Sequence, residues 1–275
     1  KIELMRMKLC MTVLLAWLVF CGSTVAAVVP RIEVNPDGKG LKLLVFERSD
    51  HHRNYVDRGK ILGDLYFNYL VDNKTYSVKL SDLQSEILEN TAGKIQIFWQ
   101  LPAGVRLYQT FTVSGEEIEW DIEFFNRSHH TVNILDMCLT VPIGAIDESV
   151  QACQNLNRHF SLNGNSSFLY WIPYTGQGDI LLMSMKKGTA MEYATWDGKY
   201  YLHATNVVDR ASDTWRIPST SKTVAPYQRY LTGFNFTVAK DHTDLRGKLY
   251  DKGNVLVKVA PGMVVTPEME VYCAL

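Results

Sequence analysis

Between Asn163 and Asp179 the chain reads NGNSSFLYWIPYTGQGD. This sets Tyr170, Trp171 and Tyr174 beside the amides Asn163, Asn165 and Gln177 and the carboxylate Asp179. A sugar ring presents apolar C–H faces and a rim of hydroxyls. Flat aromatics mixed with amide and carboxylate groups match both. The block also has a plainer reading. Phe168 and Tyr170 alternate with Leu169 and Trp171, so a strand would turn one pair into a core and pack the other beneath a loop. Tyr174, past Pro173 and next to the Gly-Gln-Gly turn, is the least core-like of the three aromatics.

A second stretch, TWDGKYYLH from Thr195 to His203, reads as a hairpin, because Asp197-Gly198 suits a tight turn whose central residues need positive φ. Trp196 and Asp197 then sit at its tip, with Tyr201 and His203 on one strand face. Such a tip offers a platform to a sugar or a cover to a neighbouring cleft; alternatively, Trp196 folds back on the sheet. The candidate carbohydrate contacts are therefore Tyr174, Trp196, Asp197, Tyr201, His203, Asn165 and Trp171.

Other reactive residue types do not assemble into a catalytic pattern. Hydrolysis of a glycosidic bond needs two carboxylates, about 5 Å apart for retention or roughly 6.5–9.5 Å for inversion. Glu117, Glu119, Asp121 and Glu123 merely alternate along one strand, as a solvated face does. His51-His52 and His129-His130 fall in loop-like contexts, whereas His159 and His203 are better placed for a site. No spacing pairs a His acid with a Glu base, no Cys or His pair has zinc-ligand spacing, and no motif calls for a cofactor. Cys138 lies in the apolar run ILDMCLTVPI and reads as a small buried hydrophobe, with pairing to Cys153 as the alternative.

The elements that must position these residues are strands. LKLLVFE, KIQIFWQL, RLYQTFTV and EIEWDIEFFN alternate with period two. In the last of these, Ile118, Trp120, Ile122 and Phe124 share one face. Turn signals at Pro36-Asp37-Gly38, Asp72-Asn73, Ser114-Gly115, Asp197-Gly198 and Lys252-Gly253 separate the runs. The spacing predicts one helix over Asp241–Lys252, with Leu245 and Leu249 four apart and Gly253 as its stop. The fold class is all-β, a large antiparallel β-sandwich with little helix, in one domain over 28–275.

Arg6 and Lys8, the apolar run Leu9–Phe20 and Val25-Ala26-Ala27 form an export signal over 1–27, which places the mature chain outside the cell or in a periplasm. The run of about a dozen residues is too short for a membrane span. A lipoprotein box at Leu18–Cys21 is disfavoured by the bulky Phe20, which stands where a small residue is needed. The chain of 275 residues carries 28 basic against 29 acidic side chains with no basic stripe, which excludes nucleic acid as a partner.

Three blocks, IEWDIEFFNRSHHTVNILDMCLTVPI, RHFSLNGNSSFLYWIPYTGQGDILLMS and LRGKLYDKGNVLVKVAPGMVV, resemble in order the N-terminal part of large secreted glycoside-hydrolase-like proteins. In that family a β-supersandwich, similar in shape to the galactose mutarotase fold, precedes an (α/α)6 toroid that supplies the catalytic carboxylates. The resemblance implies a polysaccharide or oligosaccharide as partner. It also implies that a C-terminal catalytic domain of the same protein lies beyond Leu275, where the strand-like MEVYCAL runs out. Similar proteins often carry a His in the loop before SFLYW. Asn163-Gly164-Asn165-Ser166 stands there instead, so no role of that His passes to Asn165.

Overall fold

The computed structural model describes residues 27–47, 53–144, 155–195, 198–210, 220–254, 258–260, 268, 270 and 272–274. Residues 1–26 of the export signal, Cys153, Trp196 and Asp197 lie outside these residues.

The chain advances largely by hairpins. β1 (Val29–Val34) pairs with β2 (Leu41–Glu47), and β3 (Leu65–Val71) pairs with β4 (Lys74–Lys79) across Asp72 and Asn73. Those two residues have φ of 49° and 59°, the twist that a two-residue hairpin needs. An antiparallel meander follows: β5 (Ser85–Asn90), β6 (Lys94–Gln100), β7 (Val105–Ser114) and β8 (Glu117–Asn126), the last turn made by Gly115 at positive φ. Next come β9 (Val132–Thr140), β10 (Leu156–Ser161), β11 (Phe168–Pro173) and β12 (Ile180–Met185). The predicted hairpin is present as β13 (Tyr193–Ala194) and β14 (Lys199–Ala204), with Gly198 at φ +83°. A short helix α1 (Thr205–Arg210), then β15 (Lys222–Val224) and β16 (Arg229–Ala239), lead to the predicted helix, α2 (His242–Asp251), and finally to the paired β17 (Lys258–Ala260) and β18 (Tyr272–Ala274).

Two sheets carry the domain. One has eight strands in the order β10-β11-β12-β16-β8-β7-β6-β5; the other runs β13-β14-β9-β3-β4, with β15 joining β9. This is the large antiparallel sandwich with little helix that the alternation leads one to expect. Its core holds Trp99, Trp120, Trp171, Phe67, Phe111, Phe124, Phe234 and Phe236, all without solvent exposure. Trp120 stacks on Phe111 at 5.3 Å, and its indole N–H donates to Gln109 Oε1 at 2.9 Å. Gln109 in turn donates to the Gly63 carbonyl at 2.7 Å, so this buried amide is used at both ends.

The polar face of β8 is more organised than a solvated one. Glu117 pairs with Lys252 at 2.8 Å, Glu119 and Asp121 share Lys186 at 2.6 and 2.7 Å, and Glu123 meets Arg229. The predicted acidic ladder is thus an ion-paired surface whose cations come from β16 and from the loops around β12 and α2.

Helix α2 begins as the sequence indicates. Asp241 accepts the Thr243 and Asp244 N–H groups at 2.8 Å each, and Gly253 ends the segment at positive φ. Leu245 and Leu249 bury against Phe168, Ile180 and Leu182 on the outer face of the eight-stranded sheet. No helix among the described residues is long and apolar enough to cross a membrane.

Candidate functional site

The six-stranded sheet has an outer face, turned away from the sandwich core, that is concave and chemically mixed. A cavity of about 370 Å³ opens there. β3 supplies Leu65, Tyr66 and Asn68; β9 supplies Asp136, Cys138 and Thr140; β14 supplies Lys199 and Tyr201. Asp64, Lys79, Asn206 and Val207 complete the wall.

Two β-bulges shape this floor. β9 has one extra residue, Leu135, opposite β3, where Asn68 faces Asp136 but Tyr69 faces Ile134. β14 has one extra residue, Leu202, opposite β9, where Tyr201 faces Cys138 but His203 faces Met137. A bulge inserts a residue and re-aims the side chains that follow it. Asp136 is thereby kept on the cavity side, while Met137 returns to the core.

Asp136 is fully buried and organises the floor. Its Oδ1 accepts the Asn206 and Val207 N–H groups at 2.9 and 3.3 Å, at the start of α1, and its Oδ2 accepts the Asn68 amide at 2.9 Å. Asn68 Oδ1 is filled by the Tyr66 hydroxyl at 2.8 Å and the Ser77 hydroxyl at 2.7 Å. The rings of Tyr66, Tyr193 and Tyr201 cluster with Cys138 and Val207 beside this network. At the rim, Lys79 lies 3.5 Å from Asp64, whose other oxygen accepts the Ser81 N–H at 3.0 Å. Burial pushes the Cys138 thiol up to about 12, opposed by its hydrogen bond with Tyr201, so it stays protonated and is no nucleophile at neutral pH. The arrangement presents aromatic edges, amides, carboxylates and two ammonium groups to one hollow, with no pair of uncommitted carboxylates facing each other across it.

The predicted contacts are dispersed. Tyr201 lines the cavity. His203, expected on the same strand face, does not join it, because the Leu202 bulge breaks the period-two relation between them. Its ring instead reaches Thr220 Oγ1 at 3.1 Å and the Tyr230 hydroxyl at 2.9 Å, with Glu192 Oε1 3.9 Å away. Both side chains are shut in, at 10% and 7% exposure, and this His–Glu pair, which no spacing nominated, does not line the cavity on the six-stranded sheet. Trp171 is a core residue. It has no exposure, and its indole N–H donates to the Ile143 carbonyl at 2.9 Å, which rules out the ligand-facing placement expected for it.

Tyr170 packs with Phe168 and Ile172 at the edge of the α2 cluster, stacked on His159 at 4.9 Å. What covers this pair is the helix α2, not the loop that the plainer reading expected. Tyr174, at 42% exposure, and Asn165 stand at the surface and do not line the cavity. Sequence reasoning missed Tyr66, Asn68, Asp136 and Lys79. The one available signal was that Tyr66 and Asn68 alternate with the apolar Leu65, Phe67 and Tyr69, which marks them as the outward face of a strand.

No known family model and no curated protein matches the sequence. The fold is similar to that of a polysaccharide lyase, with a TM-score of 0.66 and 14% identity, over 85% of this chain and 35% of the lyase. The chain thus spans about a third of that protein's length. It is also similar to a galactose mutarotase related enzyme from Lactobacillus acidophilus, with a TM-score of 0.48 and 9% identity over 79% of this chain and 98% of that one. A GH36 alpha-galactosidase from Geobacillus stearothermophilus, solved with raffinose, gives a TM-score of 0.45 and 11% identity over 82% and 42%. The β-sandwich that the three sequence blocks lead one to expect is found at the level of fold, in about a third of the polysaccharide lyase.

Proposed function

We propose that this chain is the β-sandwich part of a secreted carbohydrate-active protein, a glycoside hydrolase, and that it holds a segment of glycan in the cavity on its six-stranded sheet. A helical catalytic domain of the same protein would pack beside it and carry the acid and base. The observation that supports this reading most is the hollow itself. Tyr66 and Tyr201 offer apolar ring surface for sugar C–H groups, while Thr140, Lys79, Lys199 and Asp64 surround it with polar partners. The limited share of the lyase that the chain spans fits a role as one part of a larger protein.

A second reading is a carbohydrate-binding module that needs no catalytic partner and holds its glycan in the same cavity. Both readings give the same first result. In calorimetric titration against a panel of neutral and charged oligosaccharides, the purified chain binds at least one, and Tyr66→Ala weakens that binding about tenfold or more. Absence of binding across the panel overturns both. Glycosidase activity in the chain alone would overturn its assignment as the non-catalytic part.

A further inference from the structure

We infer that the sugar seated on the floor of this cavity is a 6-deoxyhexose, which carries a methyl group where an ordinary hexose carries a hydroxymethyl group; this rests on the reading of the cavity as a saccharide site. The exposed Lys79 and Lys199 mark the rim of the hollow, while the buried Leu65, Asp136, Cys138 and Tyr201 mark its depth. The polar atoms at that depth are engaged within the protein. Both Asp136 oxygens accept protein N–H groups, and the residue has no exposure, so its carboxylate is sealed from anything the size of a hydroxyl. The Tyr66 and Ser77 hydroxyls both donate to Asn68 Oδ1, and the Tyr201 hydroxyl and Cys138 thiol are hydrogen-bonded to each other.

What remains at the floor is apolar surface: Leu65, Val207 and the rings of Tyr66 and Tyr201. A hydroxymethyl group brought there leaves water behind and meets phenolic oxygens as its main remaining acceptors, and a polar group buried without a good partner is costly. A methyl group in its place forfeits no hydrogen bond and gains contact with the rings. The methyl of an N-acetyl group fits this floor less well, because its amide N–H also needs an acceptor. The hydroxyls on the rest of a 6-deoxyhexose then stay toward the polar rim.

The test titrates the purified chain, by NMR, with methyl glycosides matched in all but C6: L-fucose against L-galactose and L-rhamnose against L-mannose, with N-acetylglucosamine against glucose as a further pair. At least one 6-deoxy sugar is expected to bind about tenfold more tightly than its hydroxymethyl counterpart, with saturation transfer from the protein strongest at its methyl protons. Val207→Thr, which sets a hydroxyl on the floor at nearly unchanged shape, should cut that preference to about threefold or less. Equal affinity within both deoxy pairs, or tighter binding of the hydroxymethyl sugars, overturns the inference and leaves the saccharide reading standing. The same holds for a preference confined to the N-acetyl pair, for transfer strongest at ring protons, and for a preference unmoved in folded Val207→Thr. Should that variant not fold, the saturation-transfer pattern decides alone. Failure of every glycoside overturns the inference while the oligosaccharide panel still binds, and failure of the panel as well removes both readings.

Discussion

Glu192 Oε1 stands 3.9 Å from His203 Nδ1 where β14 of one sheet approaches β16 of the other, and Glu192 Oε2 accepts the Thr220 N–H at 3.0 Å. Burial raises the Glu192 carboxyl from 4.5 to about 7, and burial with nearby Lys222 lowers the His203 imidazole from 6.5 to about 4. The folded pair thus keeps its proton on the glutamate, whereas the unfolded chain keeps it on the histidine. Between pH 4.5 and 6.5 both states hold one proton, so the pair contributes almost no slope of stability with pH.

Breaking the pair should expose the two hidden slopes. In Glu192→Gln, the depressed His203 remains. Its stabilisation is full above pH 6.5 and is lost as pH falls through about 4, a change of about 3 kcal/mol. In His203→Gln, the raised Glu192 remains, with its stabilisation full below pH 4.5 and lost as pH rises through about 7, again by about 3 kcal/mol. Urea unfolding from pH 4 to 8 checks this. Parallel profiles in the two variants would show that the groups do not titrate as described.

Gln109→Leu should destabilise the domain by about 2–4 kcal/mol. It strips partners from the Trp120 N–H and the Gly63 carbonyl in a layer that water does not reach. Chemical denaturation measures it, and a loss below about 0.5 kcal/mol would mean that the amide is not the tie between these groups.

Asp136→Ala should cost about 2–4 kcal/mol. It leaves the Asn68 amide and the first N–H groups of α1 without an acceptor. Because the same carboxylate sets the floor of the cavity, oligosaccharide affinity should fall with it. Asp136→Asn should restore part of the stability, since one oxygen survives.

Trp171→Phe separates packing from recognition. It removes the bond to the Ile143 carbonyl and part of a core indole, so stability should fall by about 1–3 kcal/mol. Glycan affinity at a temperature where the variant is folded should not change. Gly144→Ala should act on the same contact, because a Cβ there would lie 2.9 Å from Trp171 Cδ1 and the backbone has φ +83°.

Ser184→Ala should leave stability unchanged or raise it by about 1 kcal/mol. The Ser184 hydroxyl is buried with no hydrogen-bond partner among the described residues, and the methyl group removes an unmet polar atom. A loss greater than about 1 kcal/mol in thermal unfolding would reveal an interaction not recognised here.

The sandwich was legible in the sequence because its signal is local. Side chains on a strand alternate by geometry, so the row Ile118, Trp120, Ile122 and Phe124 could only be one buried face, and Asp241, Leu245, Leu249 and Gly253 carry the start, stripe and stop of α2 within a dozen positions. Phe168 to Trp171 could likewise be read as two opposed faces. The tertiary structure decided what covers each face: Trp171 meets the Ile143 carbonyl, and Phe168 meets Leu245 and Leu249, from segments distant in sequence. It also decided the site. Tyr66, Asp136 and Tyr201 come from three strands brought together only by register, and two extra residues, Leu135 and Leu202, choose which side chains face the hollow. A bulge leaves no mark in hydrophobic periodicity except a break. That is why Tyr201 and His203, two apart in the chain, read as neighbours on one face and end on opposite sides of the sheet.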